Sequence, residues 1–455
     1  MGLGHRSLSG YMHIRLAAAS ICVLAAGLSC PAEKVQKPVT TTADVLNHAE
    51  NHDDVVLFFT GSTLGALKPC GCSGGQLGGL EKRKGIFDDG PKTGRMIIDT
   101  GALVQSDREQ EIIKFRVLFE AFRLFGYDVV HLTAQDVETA GNLGVLTDGD
   151  RPFGVISASG QGTGVSRSFT RQLTVEGHTI SVNVTAFDAQ AARIDQATQL
   201  FPDGDAARTV NVLILQGCEG SALQDILSAM PPTVDCVVYP SDSDEPRVLS
   251  QPGARPLVFT VGRFGRHISR VSVTIPPQKG RLALQFADVP VGEKLAEDEA
   301  LVRLYRSYQQ LVRESRLLEK YPRIPLPDGL TFTGSADCAR CHEYEYELWS
   351  TKPHADALAV LKKVGSDRDP ECVICHVVGM EYAEGFITEE QTPHLKDVGC
   401  EVCHGPGSAH AQAPKEMVTT EPQMNCLDCH TPEHSGEYAG HEEEFMKKIV
   451  HWREP

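Results

Sequence analysis

Four times between Cys338 and His430 the chain repeats one pattern: Cys338-Ala-Arg-Cys341-His342, Cys372-Val-Ile-Cys375-His376, Cys400-Glu-Val-Cys403-His404 and Cys426-Leu-Asp-Cys429-His430. No other feature constrains the fold as much, because each copy must turn two thiols and an imidazole toward one shared object. Zinc knuckles use Cys-x-x-Cys pairs but have no reason to place histidine after every second cysteine, and neither has a disulfide framework. Haem c needs both, since two thiols add across the vinyl groups of one macrocycle and the adjacent imidazole reaches the iron. The eight cysteines are therefore read as thioether positions of four covalently bound haems c. His342, His376, His404 and His430 are read as the proximal iron ligands.

A second axial imidazole would make an iron six-coordinate and suited to electron transfer, whereas an open position would admit a ligand. Six more histidines lie in the same region: His354, His394, His410, His434, His441 and His451. The candidate distal ligands are His354 in "ELWSTKPHADA", His410 after the Gly-Pro-Gly turn of "CHGPGSAH", and His451 in "KKIVHW"; the other three rank behind them. The stretch from Gly334 onward is poor in long aliphatic runs and rich in Glu, His, Gly and Pro, so the haems are expected to supply much of its core. A mainly α, loop-rich multihaem cytochrome domain is predicted over 331–455. In it, short helices such as "CHEYEYELWS" and "EEEFMKKIVHW" would pack on macrocycle faces, and folding would depend on the cofactor.

Upstream, apolar runs alternate with helical stretches. "DDVVLFF", "RMIIDTG", "YDVVHLT", "VNVLILQG", "VDCVVYP" and "PLVFTVG" predict buried strands, while "REQEIIKFRVLFEAFRLFG" and "ALQDILSAM" predict amphipathic helices. That alternation is an α/β signature. The loop "TGSTLGALKPCGCSGGQLGGLEKR" lacks the Gly-Lys-Ser/Thr that closes a phosphate loop, and no G-x-G-x-x-G opens a helix. Residues 291–330 form the connection, where one long amphipathic helix is predicted, with Leu295, Leu301, Leu304 and Leu311 among its apolar positions and Pro322 and Pro325 at its end. Cys70-Gly71-Cys72 is open to metal chelation, thiol redox chemistry or a disulfide. Cys218 and Cys236 are read as small buried apolar residues.

Arg6 and Arg15 followed by the apolar run Ala17 to Ala26 have the grammar of an export signal over 1–30, with a linker over 31–52. Ser29-Cys30 admits lipoprotein cleavage, while Gly27, where such sites prefer leucine, leaves ordinary cleavage or an uncleaved anchor open. Export agrees with haem c attachment outside the cytoplasm. The expected location is the periplasm or the outer face of a bacterial membrane, with membrane association through a lipid anchor or the N-terminal segment. A formal charge of −17 and the lack of a basic patch argue against nucleic-acid binding and suit a basic protein partner.

The stretches "TGSADCARCHEYEYELWSTKPHA", "DPECVICHVVG", "VGCEVCHGPGSAH" and "CLDCHTPEHS" resemble the cytochrome c-554 family, over roughly the last quarter of the chain. The resemblance implies closely stacked haem pairs and mostly bis-histidine irons, with one haem able to lack a distal ligand. It carries proximal roles onto His342, His376, His404 and His430 and distal roles onto His354, His410 and His451, and it carries over no partner.

"GGLEKRKGIF" and "VFTVGRFGRHISRVSVTI" resemble a helix start and the closing strand pair of the 5′-nucleotidase branch of calcineurin-like metallophosphoesterases. That likeness implies an αββα sandwich over 53–290. The metal ligands of that family are replaced here: Ser62 and Leu64 stand at the first position, Ala102 after Asp99, Ala134-Gln135-Asp136 at the third, Cys218 for a later histidine, and Ser241 and Ser243 for the last pair. Ala, Leu and Ser cannot hold two metals or lower the pKa of a bridging water. The remaining Asp99, His131 and Asp136 are expected to cap helices or bond loops.

The expected fold is thus α/β, an αββα sandwich followed by a mainly α, loop-rich haem domain. The expected function is an exported tetrahaem carrier of single electrons between redox protein partners, with an inert phosphoesterase-like domain as docking scaffold. The alternative is an oxidoreductase in which one open haem acts on a small nitrogen or sulfur compound. A third class is a redox sensor or assembly module.

Overall fold

A strand whose every residue is apolar can be stable only if both its faces are covered. The first strand, β1 (Val55–Thr60), is buried at every position, and the architecture follows from what covers each side. The computed structural model describes residues 55–453 apart from 70–75, 148, 150, 161, 163, 191–200, 202–203, 219–220, 241–242, 277–279, 417–424, 432–433 and 436. The export signal, Cys30, the linker 31–52, Cys70, Cys72 and Ser241 lie outside the described residues.

After β1 come α1 (Leu80–Asp88), β2 (Arg95–Asp99), α2 (Glu109–Phe125), β3 (Val129–His131), α3 (Ala134–Asn142) and β4 (Gly154–Ile156). The chain continues through β5 (Ser168–Val175), β6 (His178–Asp188), β7 (Thr209–Gln216), α4 (Ser221–Ser228), β8 (Cys236–Val238), β9 (Leu257–Phe259), β10 (His267–Thr274) and β11 (Ala283–Pro290). The strands form two sheets, a six-stranded one in the order β11-β10-β1-β2-β3-β4 and a five-stranded one in the order β5-β6-β7-β8-β9. The strands β1 to β4 are mutually parallel, as are β6 to β9.

The period of two along each strand sorts the side chains. Val55, Leu57 and Phe59 of β1 join Met96, Ile98, Val182, Val184, Val212, Ile214 and Phe259 in a core between the sheets. Val56 and Phe58 point the other way, into a second core with Phe87 of α1 and Phe115, Leu118 and Phe122 of α2. On the far side of the second sheet, Leu213, Leu215 and Val237 pack with Leu223 and Ile226 of α4. Helices outside, sheets inside: this is the expected αββα order.

Three expectations are corrected. The closing strand pair is no pair, because β9 is an edge of one sheet while β10 joins β1 in the other. Cys236 is buried in the inter-sheet core as expected, but Cys218 is half-exposed. The long connecting helix is two: α5 (Glu299–Glu314) starts at Asp298, whose carboxylate caps Ala300 and Leu301, and the chain breaks at Arg316 with φ 52° before α6 (Leu317–Lys320). Leu301, Tyr308 and Val312 of α5 are buried in the same core as α2, so the helix is an outer layer of the sandwich rather than a free brace.

The rest is helical and irregular: α7 (Ser335–Cys338), α8 (Glu343–Trp349), α9 (Ala357–Val364), α10 (Pro370–Val373), α11 (Cys400–His404), α12 (Ser408–Gln412) and α13 (Glu442–Ile449). Its first part has an apolar core of its own, built from Leu318, Phe332, Leu358, Leu361, Val377, Met380, Phe386 and Leu395. The expectation that haems supply the core therefore applies to the later part, since α8 and α13 bury no side chain. No described helix is long and apolar enough to cross a membrane.

Candidate haem centre

Each Cys-x-x-Cys-His copy makes a helical turn. His342 N donates to the Cys338 carbonyl at 2.9 Å and His430 N to the Cys426 carbonyl at 2.8 Å, while the third copy is α11 itself. In such a turn residues i, i+3 and i+4 share one face, so both thiols and the imidazole face the same way. None of the eight cysteines is in a disulfide.

The copies meet in twos. The Cys338 thiol is hydrogen-bonded to Cys400, which pushes the Cys400 thiol down and the Cys338 thiol up. Cys429 makes the same kind of contact with Cys375. First and third, second and fourth motifs are thus neighbours.

The histidines provide the fit test for haem. With nitrogen–metal distances of ~2.0–2.1 Å and about 1 Å more to the ring centre, two imidazoles on opposite sides of one metal have centres roughly 6 Å apart. The rings of His342 and His410 are 6.2 Å apart and tilted by 32°, and those of His354 and His430 are 6.3 Å apart and tilted by 29°. His451 is close enough for its charge to lower the His404 imidazole, after burial and ahead of His342. The residues fit the group, and each of the three candidate distal histidines is placed beside a proximal one. His394, His434 and His441 are exposed, with His434 bonded to Thr431 and His441 facing Glu444.

Outer contacts set the tautomers. His376 Nδ1 donates to the Ala357 carbonyl at 2.7 Å and His451 Nδ1 to the Ile449 carbonyl at 2.8 Å. With that proton on Nδ1 the lone pair sits on Nε2, the arrangement of a metal-binding histidine. His354 is pushed down to about 4, first by burial and then by the charges of His430, His376 and His451, so it is neutral near pH 7 and able to ligate.

Several residues that the spacing did not reveal hold this geometry. Glu401, inside the third motif and 4% exposed, accepts from Gly334 N at 2.7 Å, Thr333 N at 2.9 Å and Gly407 N at 2.7 Å. One carboxylate thereby ties the third motif to the approach of the first and to the Gly-Pro-Gly turn before His410. Ser335 accepts from Cys400 N at 3.1 Å, and Trp349 Nε1 donates to the Val398 carbonyl at 3.1 Å, while Val398 N donates back to the His354 carbonyl. A glutamate between two haem cysteines carries no sequence signal, since it reads as a solvated residue until its partners arrive.

At the other candidate site, the surviving polar residues bond to threonines and backbone groups around them. Thr60 Oγ1 donates to Asp99 Oδ2 at 2.6 Å, Gly101 N donates to Asp99 Oδ1 at 2.9 Å, and Asp136 accepts from Thr133, Ala102 and Leu103. Asp136 and Thr133 form a capping box at the start of α3, as expected of a loop-bonding residue. Arg83 of the "GGLEKR" helix is buried against Gly265. Among the described residues, no group of three His, Cys, Asp or Glu side chains is placed to hold a metal ion.

This remnant makes stability depend on pH. Burial pushes His131 down from 6.5 to about 4, so the folded chain declines a proton that the unfolded chain takes up. Its contribution is present above pH 6.5 and lost as pH falls toward 4, about 3 kcal/mol in all. Asp99 acts oppositely: burial lifts it from 3.8 to about 6, and its contribution is full below 3.8 and lost as pH rises through 6. His131→Gln is expected to remove the acid-side loss. Urea titrations from pH 7 to 4 check this, and parallel profiles for variant and parent would contradict it.

Fold and site define a mixed α/β double sheet joined to a c-type haem module. Comparison with known proteins agrees on the second part: residues 337–405 match the family described as cytochrome c554 and c-prime. Cytochrome c-554 of Nitrosomonas europaea is 36% identical in an alignment 91 positions long that covers 17% of this chain and 39% of that protein. The chain thus spans well under half the length of this curated relative. Solved structures similar to the larger part include the calcineurin-like phosphoesterase YfkN from Bacillus subtilis, at TM-score 0.44 and 12% identity over 58% of this chain and 98% of that one. Another is a 5′-nucleotidase precursor from Thermus thermophilus, at TM-score 0.42 and 16% identity over 69% of this chain and 68% of that one.

Proposed function

We propose that this chain is an exported tetrahaem c-type cytochrome that passes single electrons between redox protein partners. The observation that carries the reading is two pairs of neighbouring imidazoles, His342 with His410 and His354 with His430, each at the spacing of two ligands on one metal. Haem c bound at the four motifs supplies a one-electron ferric/ferrous couple. The protein's part is to hold the irons in place. Thiol pairs on one helical face fix each macrocycle, Nδ1 hydrogen bonds to Ala357 and Ser435 orient the rings of His376 and His430, and paired motifs bring the sites close to each other.

In this reading the location is the periplasm or the outer face of a bacterial membrane, with a lipid on Cys30 or the N-terminal segment as anchor. The acidic surface favours a basic protein partner over nucleic acid. The double sheet is a docking scaffold without phosphoesterase activity, because Asp99 and Asp136 spend their oxygens on internal hydrogen bonds. Pure protein is expected to leave nucleotide esters intact in the presence of manganese or zinc; metal-dependent hydrolysis would refute this.

The deciding experiment is a carbon monoxide difference spectrum of the reduced protein with haem counted by pyridine haemochrome. Four haems with no carbon monoxide shift support a six-coordinate carrier. A shift from a fraction of the haem would instead support an oxidoreductase with an open iron acting on a small nitrogen or sulfur compound.

A further inference from the structure

The second haem motif is held from inside the haem domain, by the Ala357 carbonyl on His376 and by the apolar core around Val373, and also from outside it. Its helix α10 starts at Asp369, which is 6% exposed. The carboxylate partners come from the double-sheet half: Tyr308 on α5 donates to Oδ2 at 2.9 Å, and Gln110 on α2 donates to Oδ1 at 2.7 Å and to the Tyr308 oxygen at 2.9 Å. The Asp369 carbonyl in turn accepts from Cys372 N at 3.0 Å and Val373 N at 2.9 Å, so the same residue begins the turn that bears the haem thiol. Glu371, immediately before Cys372, is ion-paired with Lys114 of α2, which is 4% exposed and also bonds Glu111 at 2.8 Å. Arg313 with Asp367 at 3.1 Å and Gln309 with Ser366 at 3.1 Å extend the seam. The first and third motifs, by contrast, are held by Ser335 and Glu401 of the haem domain itself.

A buried lysine between carboxylates is a costly way to glue two surfaces, since apolar side chains of the same size would adhere as well or better. What such a cluster adds is fixed geometry and fixed charge. Ferric haem carries one more positive charge than ferrous, so carboxylates nearby favour the ferric form and a cation nearby favours the ferrous form. Asp369 and Glu371 lie within three residues of Cys372, and Lys114 offsets one of those charges.

We propose that the double-sheet domain is a positioning clamp on the second haem. Lys114, Gln110 and Tyr308 hold the segment from Asp369 to Cys372 and thereby set the potential of the haem attached at Cys372 and Cys375. The proposal rests on the tetrahaem reading and gives the inert domain a task beyond docking.

The test uses the full-length holoprotein, with haem counted by pyridine haemochrome and the couples resolved by spectroelectrochemical titration and electron paramagnetic resonance. Lys114→Met is expected to move one couple toward the ferric form by several-fold to about tenfold, where tenfold is ~59 mV for one electron, and to alter the resonance of one ferric haem. Lys114→Arg is expected to restore both. Tyr308→Phe, which keeps every charge, is expected to move the same couple by less, and it decides the matter if Lys114→Met does not fold. Four unmoved couples, or four couples moving together, would overturn the clamp. A parent with fewer than four haems would sink the tetrahaem reading instead, and peptide mapping of haem on Cys372 and Cys375 would let the same titration judge the clamp separately.

Discussion

Replacing His410 with alanine is expected to turn the haem held by Cys338 and Cys341 from six-coordinate to five-coordinate. The ring opposite His410 is that of His342, 6.2 Å away, and the turn through Gly405 (φ 80°) is pinned by Glu401 through Gly407. Alanine removes the ligand but keeps that turn, so the macrocycle should stay attached. The haem count should not change, while the reduced variant should bind carbon monoxide at one more haem than the parent. Added imidazole should reverse the effect by refilling the position. His394→Ala, on an exposed histidine, is the control. A His410→Ala protein with the parent's carbon monoxide spectrum would show that the opposed rings do not share an iron.

A larger structural effect is expected when haem attachment is blocked altogether. Among the described residues after Val402, only Tyr438 and Ser435 are buried, whereas the stretch from Leu318 to Leu395 has an apolar cluster of eleven buried side chains. Leu427 at 51%, Met446 at 42% and Trp452 at 43% exposure leave apolar surface beside the histidines, of the kind a porphyrin face covers. Burial of apolar surface is the main source of stability, so the haem-free chain should lose structure from the third motif onward. Limited proteolysis followed by mass spectrometry should show cleavage throughout 403–453 with the double sheet intact. Equal protection of α13 with and without haem would contradict this.

Much of the double sheet was legible. Six apolar runs became strands, and Gly126, at φ 76°, ended α2 where the apolar pattern stopped. The β5-β6 hairpin escaped notice because β5 is mostly exposed and reads as polar. Its signal was the two-residue turn Glu176-Gly177, whose φ values of 50° and 80° suit the tight turn between Val175 and His178. The split connecting helix was invisible for a different reason: Arg316 takes a left-handed φ without any glycine to announce it.

At the candidate haem centre the sequence alone supplied the proposed attachment atoms, because capture of a macrocycle by two thiols and an imidazole is a local matter of residues i, i+3 and i+4. It also narrowed the distal ligands to three. Which motif histidine each candidate lies beside was decided by the tertiary structure, through contacts such as Glu401 with Gly334 and Trp349 with Val398, whose partners lie 67 and 49 residues apart. The seam from Lys114 and Tyr308 to the second motif was likewise out of reach of sequence reasoning. A buried charge is recognised only when the chain has folded its partner alongside, and no local spacing encodes where that partner will be.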